Sequence, residues 1–268
     1  MADEELLRYA ALKTGLGLKY LSKDEKVSLA LEQLRPLFPD AIFKGGTALN
    51  RVYLAKNGVS RFSEDIDLDY ISHGSLDEMI ARIKTGIYGL NGFNISGPRI
   101  MHRTIRFDCG YMNEFGERDQ IKIEFYLNNV KSLRTEDVLV KSPFIEAHTT
   151  LFKTYSLEDL IAKKLIALHN RTEGKDIYDL FYSLDLDYSW DKLNLALDLA
   201  REHYKVEKEG FYDRLAQKLQ DAKKNSFYVG NSTNHFIPAR LRPDWKIFIA
   251  TLGQKIERMS DENTSHEG

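Results

Sequence analysis

The stretch from Ile42 to Tyr70, IFKGGTALNRVYLAKNGVSRFSEDIDLDY, constrains the fold more than any other part of the chain. It predicts a short apolar strand, a Gly-Gly turn, a helix and then a second strand with acids at alternate positions. Side chains two residues apart on a strand share one face, so Asp65, Asp67 and Asp69 point together while the apolar residues between them face a core. A row of carboxylates is costly to bury without a positive partner. Hard divalent cations such as magnesium prefer carboxylate and phosphate oxygens, so the row predicts a metal site.

Two glycines stand at the start of the predicted helix, in Lys44-Gly45-Gly46-Thr47. Backbone N–H groups at such a turn can hold a phosphate. A lone D-x-D pair is usually a solvated surface feature, and Gly-Gly before a helix is often a plain tight turn. Their combination in this order is more specific, because a phosphate-binding turn and a metal-binding D-x-D pair are the minimum equipment for phosphoryl or nucleotidyl transfer.

A third carboxylate is predicted on a later strand, Gln120 to Leu127. Its apolar residues share one face, and Glu124 lies on the other. Glu124 is therefore placed beside the D-x-D strand if the two strands are neighbours. Three acids from two adjacent strands are what a two-metal site needs to clamp attacking and leaving oxygens. We therefore predict Asp65, Asp67 and Glu124 as metal ligands.

The rest of the N-terminal half predicts helices and strands around these features. Ser22 is the predicted N-cap of a helix that the prolines at 36 and 39 end. The predicted helices cover residues 4–20, 22–37, 48–55 and 76–90, and the predicted strands cover 41–43, 65–70, 100–108 and 120–127, with a hairpin turn over 110–119.

From about residue 156 the pattern changes to helices alone. Ser156 begins the first through a capping-box variant, and Lys164 and Arg171 lie on one stripe of it. Such a lysine is usually a surface side chain, but its apolar neighbours also suit a half-buried role facing phosphate. Gly174 ends this helix, and a segment with Asp176 opens the next. Further helices are predicted over 190–204, 209–224 and 243–258. The change of pattern also predicts two domains, an α/β domain over 1–150 and a helical domain over 151–268.

Composition excludes several classes of protein. The chain has 268 residues, of which 43% are hydrophobic and 29% charged, enough for a proper core. Its net charge of −2 argues against general coating of nucleic acid and is neutral toward a nucleotide or a tRNA end. No run approaches the roughly 20 apolar residues of a membrane span, and the acidic, amphipathic N-terminus predicts neither a signal nor a transit peptide. The single cysteine, Cys109, excludes an intrachain disulfide and a cysteine-based zinc site. We therefore expect a cytoplasmic protein with no membrane partner.

With these motifs the chain resembles the AbiEii/AbiGii nucleotidyltransferase toxins, the group that includes the MenT toxins. The resemblance rests on Lys44–Leu49 (KGGTAL) and Arg61–Leu68 (RFSEDIDL), together with LEDLIAKKLIALHNR and KDIYDL in the helical half. It implies an α+β fold, with a DNA polymerase beta-like nucleotidyltransferase mixed sheet and a C-terminal helical domain. It also implies a metal-dependent toxin of a toxin–antitoxin system, with NTP as substrate, two Mg²⁺ ions and a cognate antitoxin. The acceptor could be a tRNA 3′ end.

The site residues follow from matching the family's motifs to this chain, and Glu124 is added from the strand geometry. The predicted catalytic residues are Asp65, Asp67, Glu124, Lys164 and Asp176. The predicted nucleotide-binding residues are Lys44, Gly45, Gly46, Thr47, Ser63 and Lys164.

Two departures from the family pattern are visible. Asp65 lies nineteen residues after Gly46, a longer spacing than is typical of the wider nucleotidyltransferase fold. Lys175 stands where the family usually has arginine, which keeps the positive charge but loses the bidentate fork. The roles of Lys175 and Asp179 stay unassigned.

Two other functions fit the same residues. A small-molecule nucleotidyltransferase with an aminoglycoside-type acceptor suits the weak overall charge about as well as RNA does. An inactive nucleotidyltransferase-like binding protein would act through partner contact, although Asp65, Asp67 and Lys164 are all present and argue against it. Labelled product on a small molecule would identify the first, and the lack of metal-dependent NTP binding would identify the second.

Overall fold

The computed structural model describes residues 4–70, 74–127, 130–146 and 148–267, with side chains as far as residue 262. Within those ranges, no helix combines the length and the apolar character that a membrane span requires. The backbone divides into two compact units. The first comprises Met1–Asn129 and Thr135–Tyr155, and the second comprises Val130–Arg134 and Ser156–Gly268.

The first unit is built on a mixed β-sheet. Its strands are β1 Ile42–Lys44, β2 Asp65–Asp69, β3 Asn94–Met101, β4 Thr104–Met112, β5 Arg118–Tyr126, β6 Thr135–Val140 and β7 Thr150–Tyr155. They form one seven-stranded sheet in the order β3-β4-β5-β2-β1-β7-β6. β1 pairs antiparallel with β2 and parallel with β7, and β2 pairs parallel with β5. This mixed sheet with accompanying helices confirms the predicted α+β fold.

The helices of the first unit flank the strands in sequence. They are α1 Glu4–Thr14, α2 Leu18–Leu37, α3 Gly45–Ala48 and α4 Leu76–Tyr88. The short α3 continues directly into a π turn over Leu49–Tyr53 and a 3-10 turn over Leu54–Asn57. Gly58, with φ of 67°, ends this helical segment in the left-handed conformation that glycine adopts without strain.

The core of the first unit follows from the alternation in β2 and β5. Ile66, Leu68, Ile123 and Phe125 are fully buried, and α2 packs against both strands. Burying each of these side chains stabilises the fold by about 1.5–3 kcal/mol. The intervening residues of the same strands are charged or polar, so the opposite face of the sheet is left to them.

The helix boundaries near the N-terminus differ from the prediction of a helix over 4–20 and another from Ser22. α1 ends before Gly15, which has φ of 71°, and α2 begins directly after Gly17. Ser22 therefore lies inside α2 and is not its N-cap. Its buried hydroxyl donates to Glu114 Oε2 at 2.5 Å, a tertiary contact that no local pattern reveals.

The segment 100–108, predicted as one strand, belongs to two strands. β3 and β4 meet at a tight turn in which His102 has φ of 52°. Left-handed backbone is uncommon for residues other than glycine, so nothing in the sequence marks this reversal. The next hairpin turn lies over 113–117, inside the predicted 110–119. The sequence pattern did not predict β6 and β7.

The second unit is helical. Its helices are α5 Leu157–Asn170, α6 Gly174–Ser183, α7 Trp190–Tyr204, α8 Phe211–Lys224, α9 Ser226–Thr233 and α10 Trp245–Glu267. Ser156 caps α5 as predicted, because its hydroxyl accepts from the Asp159 backbone N–H at 3.2 Å. α5 packs against α6, α7 and α8, and α10 packs against α8 and α9. The sequence pattern did not predict α9.

Candidate active site

The polar face of β2 carries the predicted acids. Asp65 and Asp67 lie two residues apart on it, and the strand register places Asp67 beside Glu124 of β5 on one side and Lys44 of β1 on the other. Residues paired across neighbouring strands present their side chains on the same face. The backbone therefore brings the three predicted carboxylates to one face of two adjacent strands.

The Gly-Gly turn lies directly against this face. Gly45 has φ of 76°, and a Cβ at this position would overlap the Asp67 carboxylate. Only glycine satisfies both the left-handed backbone and the close approach. The turn that opens α3 and the acidic strand β2 therefore form one continuous surface.

A pair of hydroxyls joins the turn to the start of β2. Thr47 Oγ1 lies 2.8 Å from Ser63 Oγ, and the Thr47 hydroxyl also donates to the backbone carbonyl of Asp65. Thr47 is buried, whereas Ser63 is partly exposed. Of the two predicted nucleotide-binding hydroxyls, Ser63 is the one that a ligand can reach, and Thr47 orients it.

Lys44 is engaged inside the sheet. Its ammonium lies 2.5 Å from Asp69 Oδ1 and 3.7 Å from the centroid of the Tyr126 ring. Asp69 also accepts a hydrogen bond from the Tyr155 hydroxyl at 2.5 Å. Asp69 thus compensates the charge of Lys44. The cluster formed by Lys44, Asp69, Tyr126 and Tyr155 connects β1, β2, β5 and β7. Sequence reasoning missed Tyr126 and Tyr155, and the only available signal was that Asp69 shares the face of the other acids.

The three carboxylates are neighbours without forming a ready-made metal cage. Glu124 Oε2 accepts from the Tyr126 hydroxyl at 2.9 Å, and Asp65 Oδ1 lies 3.8 Å from Lys122 Nζ. Across the described part of the chain, no group of three His, Cys, Asp or Glu side chains is arranged to hold a metal ion. Asp65 and Asp67 still offer hard oxygen donors on one face. This donor set fits Mg²⁺, which usually takes one or two carboxylates and completes its shell with phosphate and water oxygens.

The helical unit has its own charged cluster, on α5 and α6. Lys164 Nζ lies 2.7 Å from Asp176 Oδ1 and 2.8 Å from Asp179 Oδ2. Arg171 Nε donates to Asp176 Oδ2 at 2.9 Å. Lys164, Asp176 and Asp179 are buried. Buried charges are tolerated when they are paired in this way. The structure therefore brings Lys164 and Asp176 together and adds Asp179, to which the sequence gave no role.

Burial and neighbouring cations act on Asp176 in opposite directions. Burial alone raises the pKa of this carboxyl, but the Lys164 ammonium and the Arg171 guanidinium outweigh it and lower the pKa to about 2. Asp176 is therefore an anion at neutral pH and a weak proton acceptor. Its chemistry in this arrangement is to hold and orient Lys164.

The sequence of this chain matches a known protein family. Residues 29–261 match the family model described as nucleotidyl transferase AbiEii toxin of type IV toxin–antitoxin systems. No curated protein matches the chain in sequence.

Solved structures share the fold at low identity. MenT4, a nucleotidyltransferase toxin from Mycobacterium tuberculosis H37Rv, is 17% identical with a TM-score of 0.60, over 96% of this chain and 90% of that one. A putative nucleotidyltransferase from Helicobacter pylori is 20% identical with a TM-score of 0.59, over 94% and 100%. JHP933 from Helicobacter pylori is 18% identical with a TM-score of 0.52, over 94% and 100%. At these identities the likeness concerns the fold alone.

Proposed function

Because this chain belongs to the AbiEii family of nucleotidyl transferase toxins, we propose that it transfers a nucleoside monophosphate from an NTP to an acceptor hydroxyl. The membership confirms the resemblance drawn from the KGGTAL and RFSEDIDL motifs. We propose a tRNA 3′ end as the acceptor and Mg²⁺ as the metal. The toxin–antitoxin family implies a cognate antitoxin protein as partner. The proposed place of action is the cytoplasm, where NTPs and tRNA are both available.

The observation that carries this proposal is the contact between the glycine turn and the acidic strand. Gly45 approaches the Asp67 carboxylate so closely that no side chain fits between them. Phosphates held by the turn's N–H groups would therefore lie beside the carboxylates that we propose as metal ligands. This proximity of an anion site and a cation site is what a metal-bound NTP requires.

The proposed reaction forms one bond and breaks one. The acceptor oxygen bonds to the α-phosphorus of the NTP, and the bond from that phosphorus to the bridging oxygen of the β-phosphate breaks, releasing pyrophosphate. We propose that Glu124 takes the proton of the acceptor hydroxyl. The N–H groups of Gly45 and Gly46 and the hydroxyl of Ser63 would bind and orient the phosphates.

Metal binding is proposed for the carboxylates on the sheet face. Asp65 and Asp67, with Glu124 as a third donor, would hold Mg²⁺. When bound, the metal supplies positive charge against the phosphates. The ion pair between Lys44 of β1 and Asp69 of β2 holds together the two strands that carry the glycine turn and the acids.

For the helical unit we propose that Lys164 neutralises charge on the leaving pyrophosphate, which is stabilisation where charge develops. Asp176 and Asp179 hold its ammonium in one orientation, since both contact it within 2.8 Å. The proposed role of Asp176 is therefore to position Lys164.

The test is label transfer to RNA. Purified protein is incubated with each labelled NTP in turn, Mg²⁺ and total RNA, and the products are separated by size. We expect transfer with at least one NTP, its loss on chelation of the metal, and a fall of about 100-fold or more in Asp65→Ala. Asp77→Ala is the matched control, because Asp77 is an exposed acid in the first turn of α4.

The outcomes separate the proposal from its rivals. Label on RNA that depends on Asp65 supports it. Label found only on small molecules would replace the RNA acceptor with a small-molecule one. If neither the wild type nor Asp65→Ala transfers label from any NTP, the proposal of nucleotidyl transfer is overturned.

A further inference from the structure

The helical unit contains a cavity that none of the proposed roles uses. Its volume is about 760 Å³, within the range of small-ligand sites. Three segments line it: residues 172–175 at the start of α6, residues of α9 between 228 and 233, and the pair His235 and Phe236. The cavity lies entirely within the second unit.

Two close contacts fix the walls of this cavity. Gly174 of α6 is so near α9 that a Cβ there would overlap the Thr233 hydroxyl. Three residues earlier in α9, a Cβ at Gly230 would lie 2.6 Å from the Trp245 ring of α10. Trp245 is held in turn by a hydrogen bond from its Nε1 to Asn234 Oδ1 at 2.8 Å. α9 is therefore held closely against both α6 and α10, and these contacts fix the shape of the cavity.

The cavity walls offer aromatic surface to solvent. Tyr228 is 73% exposed on the cavity rim, and Phe236 is partly exposed within the lining. His235 lies against Phe236 with ring centroids 3.9 Å apart. Exposed aromatic rings beside a cavity are the platform on which unpaired nucleobases stack, and such stacking tolerates any base.

One cation faces this aromatic surface. Lys175 Nζ lies 5.0 Å from the centroid of the Phe236 ring. Among the residues that the structure describes, no carboxylate comes within ion-pair distance of Lys175. Glu173, the acid in the lining, is 3.4 Å from the Arg171 guanidinium, which compensates its charge. The cavity thus holds a single uncompensated positive charge.

We propose that this cavity binds an unpaired nucleotide of a single-stranded nucleic acid. The base stacks on Tyr228 and Phe236, and the phosphodiester lies at Lys175. A phosphodiester carries one negative charge, which one lysine matches, whereas the several charges of a free triphosphate would need more cations. Asn231 and Ser232 on the rim offer hydrogen-bonding groups to the sugar or the base edge.

The position of Lys175 connects this cavity to the proposed reaction. Lys175 directly precedes Asp176, and the two side chains diverge, one to Phe236 and the other to Lys164. The first turn of α6 therefore serves two sites. Calling the bound strand the acceptor rests on the proposed nucleotidyl transfer, whereas the binding of a single strand does not.

The experiment measures binding without chemistry. The full chain carrying Asp65→Ala is titrated, without NTP, into fluorescently labelled dodecamers: single-stranded RNA, single-stranded DNA of the same sequence, and the RNA duplex. Anisotropy gives Kd for each. We expect a single strand to bind more tightly than the duplex, because a paired base cannot stack on the rim.

Matched variants in the same background assign the binding to the cavity. Tyr228→Ala is expected to raise Kd for the single strand by roughly 5- to 100-fold, the size of one lost stacking contact. Lys175→Gln is expected to raise it several-fold. The controls are Phe227→Ala, an equally exposed neighbouring ring outside the lining, and Lys224→Gln on the exposed end of α8, each within about twofold of the parent.

Each result has a defined meaning. Tighter binding of a single strand than of the duplex supports the proposal, and tighter binding of RNA than of DNA would identify RNA as the strand. Unchanged Kd in both cavity variants, or equal loss in Phe227→Ala and Tyr228→Ala, overturns it. Failure of the proposed function would instead be the absence of label transfer by the wild type, which this titration does not involve.

Discussion

Gly45 combines two constraints that can be separated by substitution. Its left-handed backbone and its contact with Asp67 both exclude a Cβ. Gly45→Ala should lower the free energy of unfolding by roughly 1–2 kcal/mol for the backbone conformation alone. It should also displace the Asp67 carboxylate and abolish label transfer. Urea unfolding and the transfer assay measure the two effects.

Gly58→Ala is the control for this prediction. Gly58 has φ of 67°, close to that of Gly45, but no atom lies within 4 Å of a Cβ built there. It should show a similar loss of stability with transfer retained. Loss of transfer in Gly58→Ala as well, in protein that is still folded, would contradict the role assigned to the Gly45–Asp67 contact.

Ionisation of Asp176 makes the free energy of unfolding depend on pH in the acid range. Its pKa is about 2 in the folded chain, below the ordinary value of 3.8, because the cations of Lys164 and Arg171 outweigh the effect of burial. The stabilisation from this lowered pKa is complete above pH 4 and is lost as the pH falls toward 2, and it amounts to roughly 2 kcal/mol. The stability advantage of wild type over Asp176→Asn should therefore shrink by about that amount across this window.

Urea unfolding between pH 2 and pH 7 measures this difference. Asp221→Asn is the comparison, because Asp221 is an exposed acid on α8 whose partners, Gln217 and Lys224, are also exposed. Its effect on stability should be small at every pH. A wild-type advantage over Asp176→Asn that stays constant down to pH 3 would contradict the ion-pair cluster.

At the scale of elements, a buried ion pair joins α2 to the π turn that follows the glycine turn. Arg51 Nη2 lies 2.5 Å from Asp24 Oδ1, and Asp24 also accepts from the Ser142 hydroxyl. Both charged side chains are nearly inaccessible. Arg51→Met should cost about 3–5 kcal/mol, because it leaves a buried carboxylate without its cation.

A double-mutant cycle tests this coupling. Asp24→Asn with Arg51→Met removes both charges, so its loss of unfolding free energy should be clearly smaller than the sum of the two single losses. Urea unfolding of the four proteins gives the coupling energy. Strict additivity would mean that α2 and the π turn are not held together by this pair.

Local sequence patterns predict some of the strands and miss contacts between residues that are distant in the chain. The alternation of acids with apolar residues in β2 and of polar with apolar residues in β5 is a local signal, and it predicts that Glu124 lies on the polar face of its strand. That β2 and β5 are neighbours, with Asp67 paired to Glu124, comes from the structure. The β3–β4 hairpin turns at His102 without glycine or proline, so its pattern reads as one strand. The Lys44–Asp69–Tyr155 cluster joins residues up to 111 positions apart, from 44 to 155, and no local signal could predict it.

For the molecule as a whole, charge bounds how nucleic acid can bind. Lysine and arginine number 38 and aspartate and glutamate number 40, so no excess of positive charge surrounds the chain. Several acids and bases that the sequence shows as separate charges are paired with each other in the fold, including Lys164 with Asp176 and Lys23 with Asp119. Contact with phosphates must therefore come from a few uncompensated cations.

This balance predicts a weak salt dependence of single-strand binding. Each phosphate neutralised on a single strand contributes about 0.7 to the slope of log K against log salt concentration, because counterions are released. With one to three phosphates contacted, the slope should be roughly −1 to −2 between 50 and 300 mM KCl, measured by anisotropy in the Asp65→Ala background. Lys175→Gln should reduce its magnitude by about 0.7, whereas Lys224→Gln should leave it unchanged. A slope steeper than about −4 would require six or more phosphate contacts, and it would replace a single nucleotide cavity with an extended basic surface as the site of binding.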